Sequence, residues 1–254
     1  MSGIDDSYLA EAEQRARRFS GAYHGTSGAL AGDVLRLLGE VRRLKGREPV
    51  PLDRVRIVAL AGAIGSGKST VAEMLPALHF QWADPIYAAI AALLGVSVEW
   101  LHDRTNKDTP IEWLGVTPRY MLQTLGTEWG RDMIHPDLWV KLVEQRIIRA
   151  AAAGYDTFAI CGTRFPNEAA LVRRYGGEVW WIDRGSVVVE ASHRSERLLT
   201  AGDCDRLIDN RATRDDLRIA VNGAMTQYEE RRDAGMVAGA AKAAPIDAAA
   251  TSGA

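Results

Sequence analysis

Cysteine is scarce in this chain of 254 residues: Cys161 and Cys204 stand far apart, with no C-x-x-C pair and no histidine at zinc-ligand spacing. The expectation is therefore a reduced, cytoplasmic protein without a disulfide framework or a metal–thiolate centre. Long uncharged runs are also missing, and none approaches the length of a membrane span. The opening residues MSGIDDSYLAEAEQ are acidic and polar rather than a charged start before an apolar stretch, so neither a secretory signal nor a membrane partner is expected. Charge of one sign is lacking too. Lys and Arg number 31 against 33 Asp and Glu, a formal net charge of −2. No global basic field is directed at a nucleic-acid polymer, although a local patch stays open. Internal repeats are absent. What remains is ample: 47% of the residues are apolar, enough for one α/β domain of ordinary size plus extensions.

The most informative stretch runs from Val55 to Thr70, VRIVALAGAIGSGKST. An apolar strand leads directly into G-x-x-x-x-G-K-[ST], with Gly62, Gly67, Lys68 and Ser69 at the fixed positions. Gly62, Ala63, Gly65, Ser66 and Gly67 would curl so that backbone N–H groups face a polyphosphate. Lys68 would set a point charge on the β- and γ-phosphates, and the Ser69 hydroxyl would reach Mg²⁺. With Thr70 these residues open a helix whose positive dipole end faces the same anion. The ligand expected is ATP with Mg²⁺.

Around this loop the sequence alternates between strand and helix patterns. Strands are expected over Val55–Ala61, His79–Trp82, Tyr155–Cys161, Glu178–Asp183 and Asp205–Ile208. Helices are expected from Ser69, with an early end forced by Pro76, and over Pro85–Leu94, Pro118–Met133, Pro136–Ala153, Glu168–Tyr175 and Thr213–Arg232. Residues 96–117 read as an irregular excursion. The alternation implies an α/β fold, a doubly wound parallel sheet with helices on both faces. Two helical patterns, over 8–19 and 30–44, precede it. The second carries an apolar stripe, Leu35, Leu38, Val41 and Leu44, which would either cover the body or dock a partner such as a second copy. Three regions result: a helical extension over 1–54, the main domain over 55–232, and an Ala/Gly-rich tail over 233–254 expected to be disordered.

A phosphate loop does not name a reaction. Later segments narrow it: FQWADPIY at 80–87, TPRYMLQTLGTEWGRD at 117–132 followed by HPDLWVKL, ICGTRFPNE at 160–168, GGEVWWIDR at 176–184 and SHRSE at 192–196. In this order behind the loop they resemble the phage-type deoxynucleoside monophosphate kinases, a family with the P-loop NTPase-type sheet. The resemblance spans roughly residues 56–231. It implies transfer of the ATP γ-phosphate to a deoxynucleoside monophosphate, giving the diphosphate, in the host cytoplasm if the protein is phage-encoded.

The residues in those segments suit that chemistry, which needs positioned cations and little covalent participation by the protein. Arg119, Gln123 and Arg131 fall at spacings of four and eight along one expected helix, so two guanidinium forks and an amide could hold a monophosphate. The alternative is a solvated face with a salt bridge to Glu128. Arg164 follows a strand at its carboxyl end, where open α/β sheets bind ligands, and Glu168 lies four residues on. The pair would grip the acceptor phosphate or form a structural ion pair. Asp84 would cap the helix after it or stand near the acceptor hydroxyls and the metal's water shell. Arg184, His193, Arg194 and Arg197 would belong to a lid that closes on the triphosphate, or to a solvated basic loop. Two positions depart from the family pattern. Gly162 stands where an acid is expected, leaving Asp84 or Asp183 to replace it, and Tyr87 stands where a lysine is expected. Two other readings therefore stay beside the first: a kinase acting on a hydroxymethylated base in DNA, using Trp100, Trp113 and Trp129 as stacking platforms, and a nucleotide-binding module without turnover.

Overall fold

The protein is described by a computed structural model covering residue 46, residues 48–185 and residues 199–235. The expected helices over 8–19 and 30–44, the candidate lid residues His193, Arg194 and Arg197, and the tail beyond residue 235 lie outside the described residues. The described residues of Val50–Ala151 and of Tyr155–Ala254 form one compact unit, which carries the sheet.

Five strands make that sheet: β1 (Arg56–Ala61), β2 (Leu78–Gln81), β3 (Thr157–Cys161), β4 (Glu178–Asp183) and β5 (Arg206–Asp209). They lie in the order β2-β3-β1-β4-β5, every neighbouring pair parallel. The expected doubly wound α/β sheet is the one observed. Its cause is visible in β1, where Ile57, Ala59 and Ala61 point to one core and Val58 and Leu60 to the other. A strand buried on both faces reads as an unbroken apolar run rather than an alternating one.

Helices α1 (Lys68–Met74) and α8 (Arg214–Asp233) cover one face, supplying Val71, Leu217, Val221 and Tyr228. Helices α6 (Leu138–Ala152) and α7 (Pro166–Arg174) cover the other with Val143, Ile147, Leu171 and Val172. Helix α1 stops at Met74 because Leu75 is extended, the conformation favoured before Pro76.

A third core, built from Ile86, Ile90, Leu101, Leu122 and Trp139, lies under a helical layer. That layer contains α2 (Asp84–Leu94), α3 (Val98–His102), α4 (Arg104–Asp108) and α5 (Pro118–Thr124). Part of the stretch expected to be irregular thus forms two short helices. Side-chain caps start both: Ser97 accepts from the Trp100 N–H and Asp103 from the Asn106 N–H.

The second correction concerns the expected single helix Pro118–Met133. It is α-helical only to Thr124, and Leu125–Ile134 winds as a π-helix, closed by the His135 N–H on the Gly130 carbonyl at 3.0 Å. The indole of Trp139 explains the wide winding. Its Nε1 donates to the Gly126 carbonyl at 2.7 Å, and its ring lies where a Cβ on Gly130 would be, 2.5 Å from one ring carbon. A side chain pressed into the ladder displaces the ordinary i to i−4 bonding. Among the described residues no helix is long and apolar enough to cross a membrane.

Candidate active site

The carboxyl ends of β1, β3, β4 and β5 converge, and the turns leaving them build one cluster of polar groups. Gly62–Gly67 leaves β1 and ends where Lys68 opens α1. Gly67 has φ +97, left-handed backbone that L side chains rarely adopt. The Ser66 N–H closes a turn on the Ala63 carbonyl at 3.2 Å, and the Val71 N–H takes the Gly67 carbonyl at 3.0 Å. Lys68 bends back over this loop, its Nζ donating to the carbonyls of Gly62 (2.9 Å) and Ala63 (2.7 Å). Burial, reinforced by the nearby positive charge of Arg164, lowers the Lys68 pKa to about 8. Ser69 is exposed in the first turn of α1, beside Thr70.

At the end of β3 the chain curls tightly. The N–H groups of Gly162 and Thr163 both donate to the Leu60 carbonyl at 3.0 Å. Trp82 Nε1 holds the Thr163 hydroxyl at 2.9 Å from the end of β2. Gly162 has φ +82 with open space around its missing Cβ, so backbone conformation, not crowding, favours glycine where an acid was expected. Arg164 is exposed and makes no side-chain ion pair among the described residues.

Glu168 does not pair with the Arg164 guanidinium. Its Oε2 accepts from the backbone N–H groups of Arg164 (2.8 Å) and Phe165 (3.1 Å), fixing the turn that presents Arg164. Its Oε1 takes Arg131 Nη2 at 2.6 Å in an almost wholly buried ion pair. Burial pushes the Glu168 carboxyl up against the opposing pull of Arg131 and the two N–H groups. The Arg131 guanidinium also lies 3.7 Å over the Phe165 ring and donates to the Pro136 carbonyl at 3.3 Å.

The π-helix removes Arg131 from the α-helical line of Arg119 and Gln123, which stay on α5. Arg119 forks onto Asp108, with Nε to Oδ1 at 2.5 Å and Nη2 to Oδ2 at 3.2 Å. Gln123 is half-buried. Asp84 is the first residue of α2, whose N-cap is Ala83, so it is not the cap. Its Oδ2 reaches back to the Gln81 N–H at 3.0 Å and accepts from Arg146 Nη1 at 2.7 Å. Asp183, at the end of β4, accepts from the Gly185 N–H at 3.0 Å. Arg184 Nη1 stands 3.5 Å from the Gly65 carbonyl, at the limit of a hydrogen bond.

At Tyr87, where a lysine was expected, the hydroxyl accepts from Lys107 Nζ at 2.5 Å and the ring stacks on His102. Helix α4 thus returns a cation to that spot.

Comparisons with known proteins give the family of the chain. The family model for deoxynucleotide monophosphate kinase matches residues 97–221. A protein of Acanthamoeba polyphaga mimivirus, named as a deoxynucleotide monophosphate kinase, is 31% identical over 160 residues, covering 55% of this chain and 80% of the relative. The chain belongs to the deoxynucleotide monophosphate kinase family. The deoxynucleoside-5'-monophosphate kinase of Escherichia phage T5 is 25% identical over 212 residues, covering 58% of this chain and 82% of its own. A dephospho-CoA kinase structure from Campylobacter jejuni aligns at 16% identity over 68% of this chain and 97% of that one, with a TM-score of 0.37, too loose a likeness to carry an argument.

Within this member of the deoxynucleotide monophosphate kinase family, several residues at the site escaped the sequence reading: Trp82, Lys107, Arg146, Thr163 and Asn210. Asn210 alone carried a local signal, a polar residue just past an apolar strand run, where such sheets bind ligands. The others are recruited by contacts too distant in sequence to read.

Proposed function

We propose that this chain transfers the γ-phosphoryl group of ATP, bound with Mg²⁺, to a deoxynucleoside monophosphate, giving the diphosphate and ADP. The observation that carries the reading is the convergence of Lys68 and Arg164. They come from turns after neighbouring strands, close enough for one charge to depress the pKa of the other. Two cations forced together at a sheet's carboxyl edge suit a ligand rich in negative charge.

Lys68 leaves the carbonyls of Gly62 and Ala63 for the β- and γ-phosphates, while the loop N–H groups cradle the chain of phosphates. Arg164 reaches the transferred group, and Arg184 closes on the triphosphate from the far side of the loop. Arg119 and Gln123 hold the acceptor, Arg119 exchanging Asp108 for the incoming phosphate. Arg131 and Glu168 act as a pair that fixes the turn presenting Arg164. Asp84, braced by Arg146, faces the acceptor hydroxyls.

The donor set fits Mg²⁺, because the exposed Ser69 hydroxyl is an oxygen ligand of the kind that hard cation takes. Mg²⁺ at such sites takes one or two protein oxygens and completes its shell with substrate phosphates and water. Bound there, Mg²⁺ would neutralise charge on the β- and γ-oxygens.

The test is an ADP-release assay with ATP and Mg²⁺ against each deoxynucleoside and ribonucleoside monophosphate, beside Lys68→Ala. Turnover with deoxynucleotides, reduced at least about a hundredfold in the variant as for loss of an electrostatic catalytic contact, is expected. ATP binding without product on any monophosphate would overturn the reading.

A further inference from the structure

The phosphate loop needs an outside support. Ala63, Ile64 and Gly65 are exposed, and glycines leave few side chains to pack the loop in place. The bonds from Lys68 to the Gly62 and Ala63 carbonyls use the amine that the proposed reaction requires elsewhere. Arg184 reaches the Gly65 carbonyl only at 3.5 Å, whereas a closer contact uses neither that amine nor any N–H of the loop. Asn210, the residue after β5, donates from Nδ2 to the Ser66 carbonyl at 2.7 Å. Its own backbone N–H is tied to the Asp183 carbonyl at 2.6 Å, which secures the brace to the end of β4. The fit is close: a Cβ on Gly67 would fall 2.3 Å from Nδ2.

We propose that Asn210 is a positioning residue that holds the Ser66–Gly67 peptide so that the loop is ready for phosphate before phosphate arrives. The peptide bond is planar and trans, so its C=O and N–H point in opposite directions. Gripping the Ser66 oxygen from the β5 side therefore aims the Gly67 N–H away from Asn210. Without that grip, a peptide flanked by a left-handed glycine is free to rotate, and binding must first order it. Asn210 acts through the loop, and no contact with ligand is required of it. The inference rests on the loop being the triphosphate site, but not on which acceptor is phosphorylated.

The experiment measures the affinity of the full chain for a non-hydrolysable ATP analogue with Mg²⁺ by calorimetry, for the wild type, Asn210→Ala and Asn210→Asp. Loss of one bracing hydrogen bond is expected to weaken binding up to about tenfold in Asn210→Ala. Asn210→Asp is expected to weaken it further, since a carboxylate cannot donate to the Ser66 carbonyl and repels phosphate. The acceptor KM, and the unfolding midpoint without nucleotide, should change little. Amide exchange gives a second readout in any variant that folds: the Gly67 N–H should exchange faster in Asn210→Ala without ligand. Affinity within twofold of wild type, unchanged exchange at Gly67, or an equal loss for acceptor and nucleotide would overturn the proposal. Analogue binding without turnover on any monophosphate would instead count against the proposed reaction and leave this test intact.

Discussion

Lys68 is a cation only while it keeps its proton, and its surroundings make that conditional. Burial and the adjacent Arg164 bring its pKa down to about 8, so it is charged at neutral pH and loses charge as the pH climbs past that value. Neutral Lys68 attracts phosphate less, so ATP affinity should fall as pH rises through about 8. Bound triphosphate favours the protonated amine, so the fall belongs to the free protein and appears in binding or in kcat/KM rather than in kcat. Arg164→Gln removes one of the two causes that depress the pKa, and the fall should move to higher pH even though absolute affinity drops. Calorimetric titrations of ATP with Mg²⁺ between pH 6.5 and pH 9.5 measure both limbs, a range set around the free amine's expected midpoint. An unmoved limb in Arg164→Gln would mean that the two cations do not sense each other. The loop around Lys68 was legible in the sequence because all its parts are contiguous. Arg164 was legible as a residue past a strand end, but its effect on Lys68 comes from the parallel pairing of β1 and β3 across a hundred residues of chain.

At the scale of elements, the π-helix Leu125–Ile134 decides where Arg131 goes, and the indole of Trp139 decides the π-helix. Apolar spacing from Pro118 to Met133 reads as one α-helix because periodicity reports which residues face a core, not how many share a turn. The signal for the deviation was the pair Gly126 and Gly130. Its cause, an aromatic ring from the following helix, is tertiary. Gly130→Ala should therefore act through Trp139. The added methyl would meet the ring at 2.5 Å, and overpacking of this kind costs typically about 1–3 kcal/mol. Arg131 follows immediately, so the buried pair with Glu168 should loosen and the Arg164 turn with it, lowering kcat, because Arg164 is the residue proposed to reach the transferred group. Urea unfolding of Gly130→Ala, Trp139→Leu and the double variant checks the cause. The double variant should be less destabilised than the sum of the singles, because without the ring the methyl has room. Strict additivity would show that Gly130 is required for another reason.

For the molecule as a whole, alternation of strands and helices was enough to forecast a parallel, doubly wound sheet, because a parallel crossover requires covered faces. The strand order was not legible, since apolar runs such as VWWI do not say which neighbour they take. Part of that order is held by Tyr228 of α8, which is fully buried and touches two parts of the sheet. Its hydroxyl accepts from the Ile57 N–H at 3.2 Å, at the start of β1, and donates to the Gly176 carbonyl at 3.0 Å, just before β4. Both partners lie at the end of the sheet remote from the phosphate loop. Tyr228→Phe keeps the ring and its packing but leaves a buried N–H and a buried carbonyl unpaired, a loss of about 1–3 kcal/mol for each orphaned group at most. Unfolding should occur at lower urea with an unchanged slope, since the same surface is exposed. Nucleotide affinity measured well below the unfolding transition should stay at the wild-type value, because nothing in the site depends on that hydroxyl directly. A variant that lost ATP affinity in proportion to its stability would show instead that the two ends of the sheet are coupled, and that the brace at Tyr228 helps set the distance between the β1 and β4 turns where Lys68 and Arg184 are proposed to meet the phosphates.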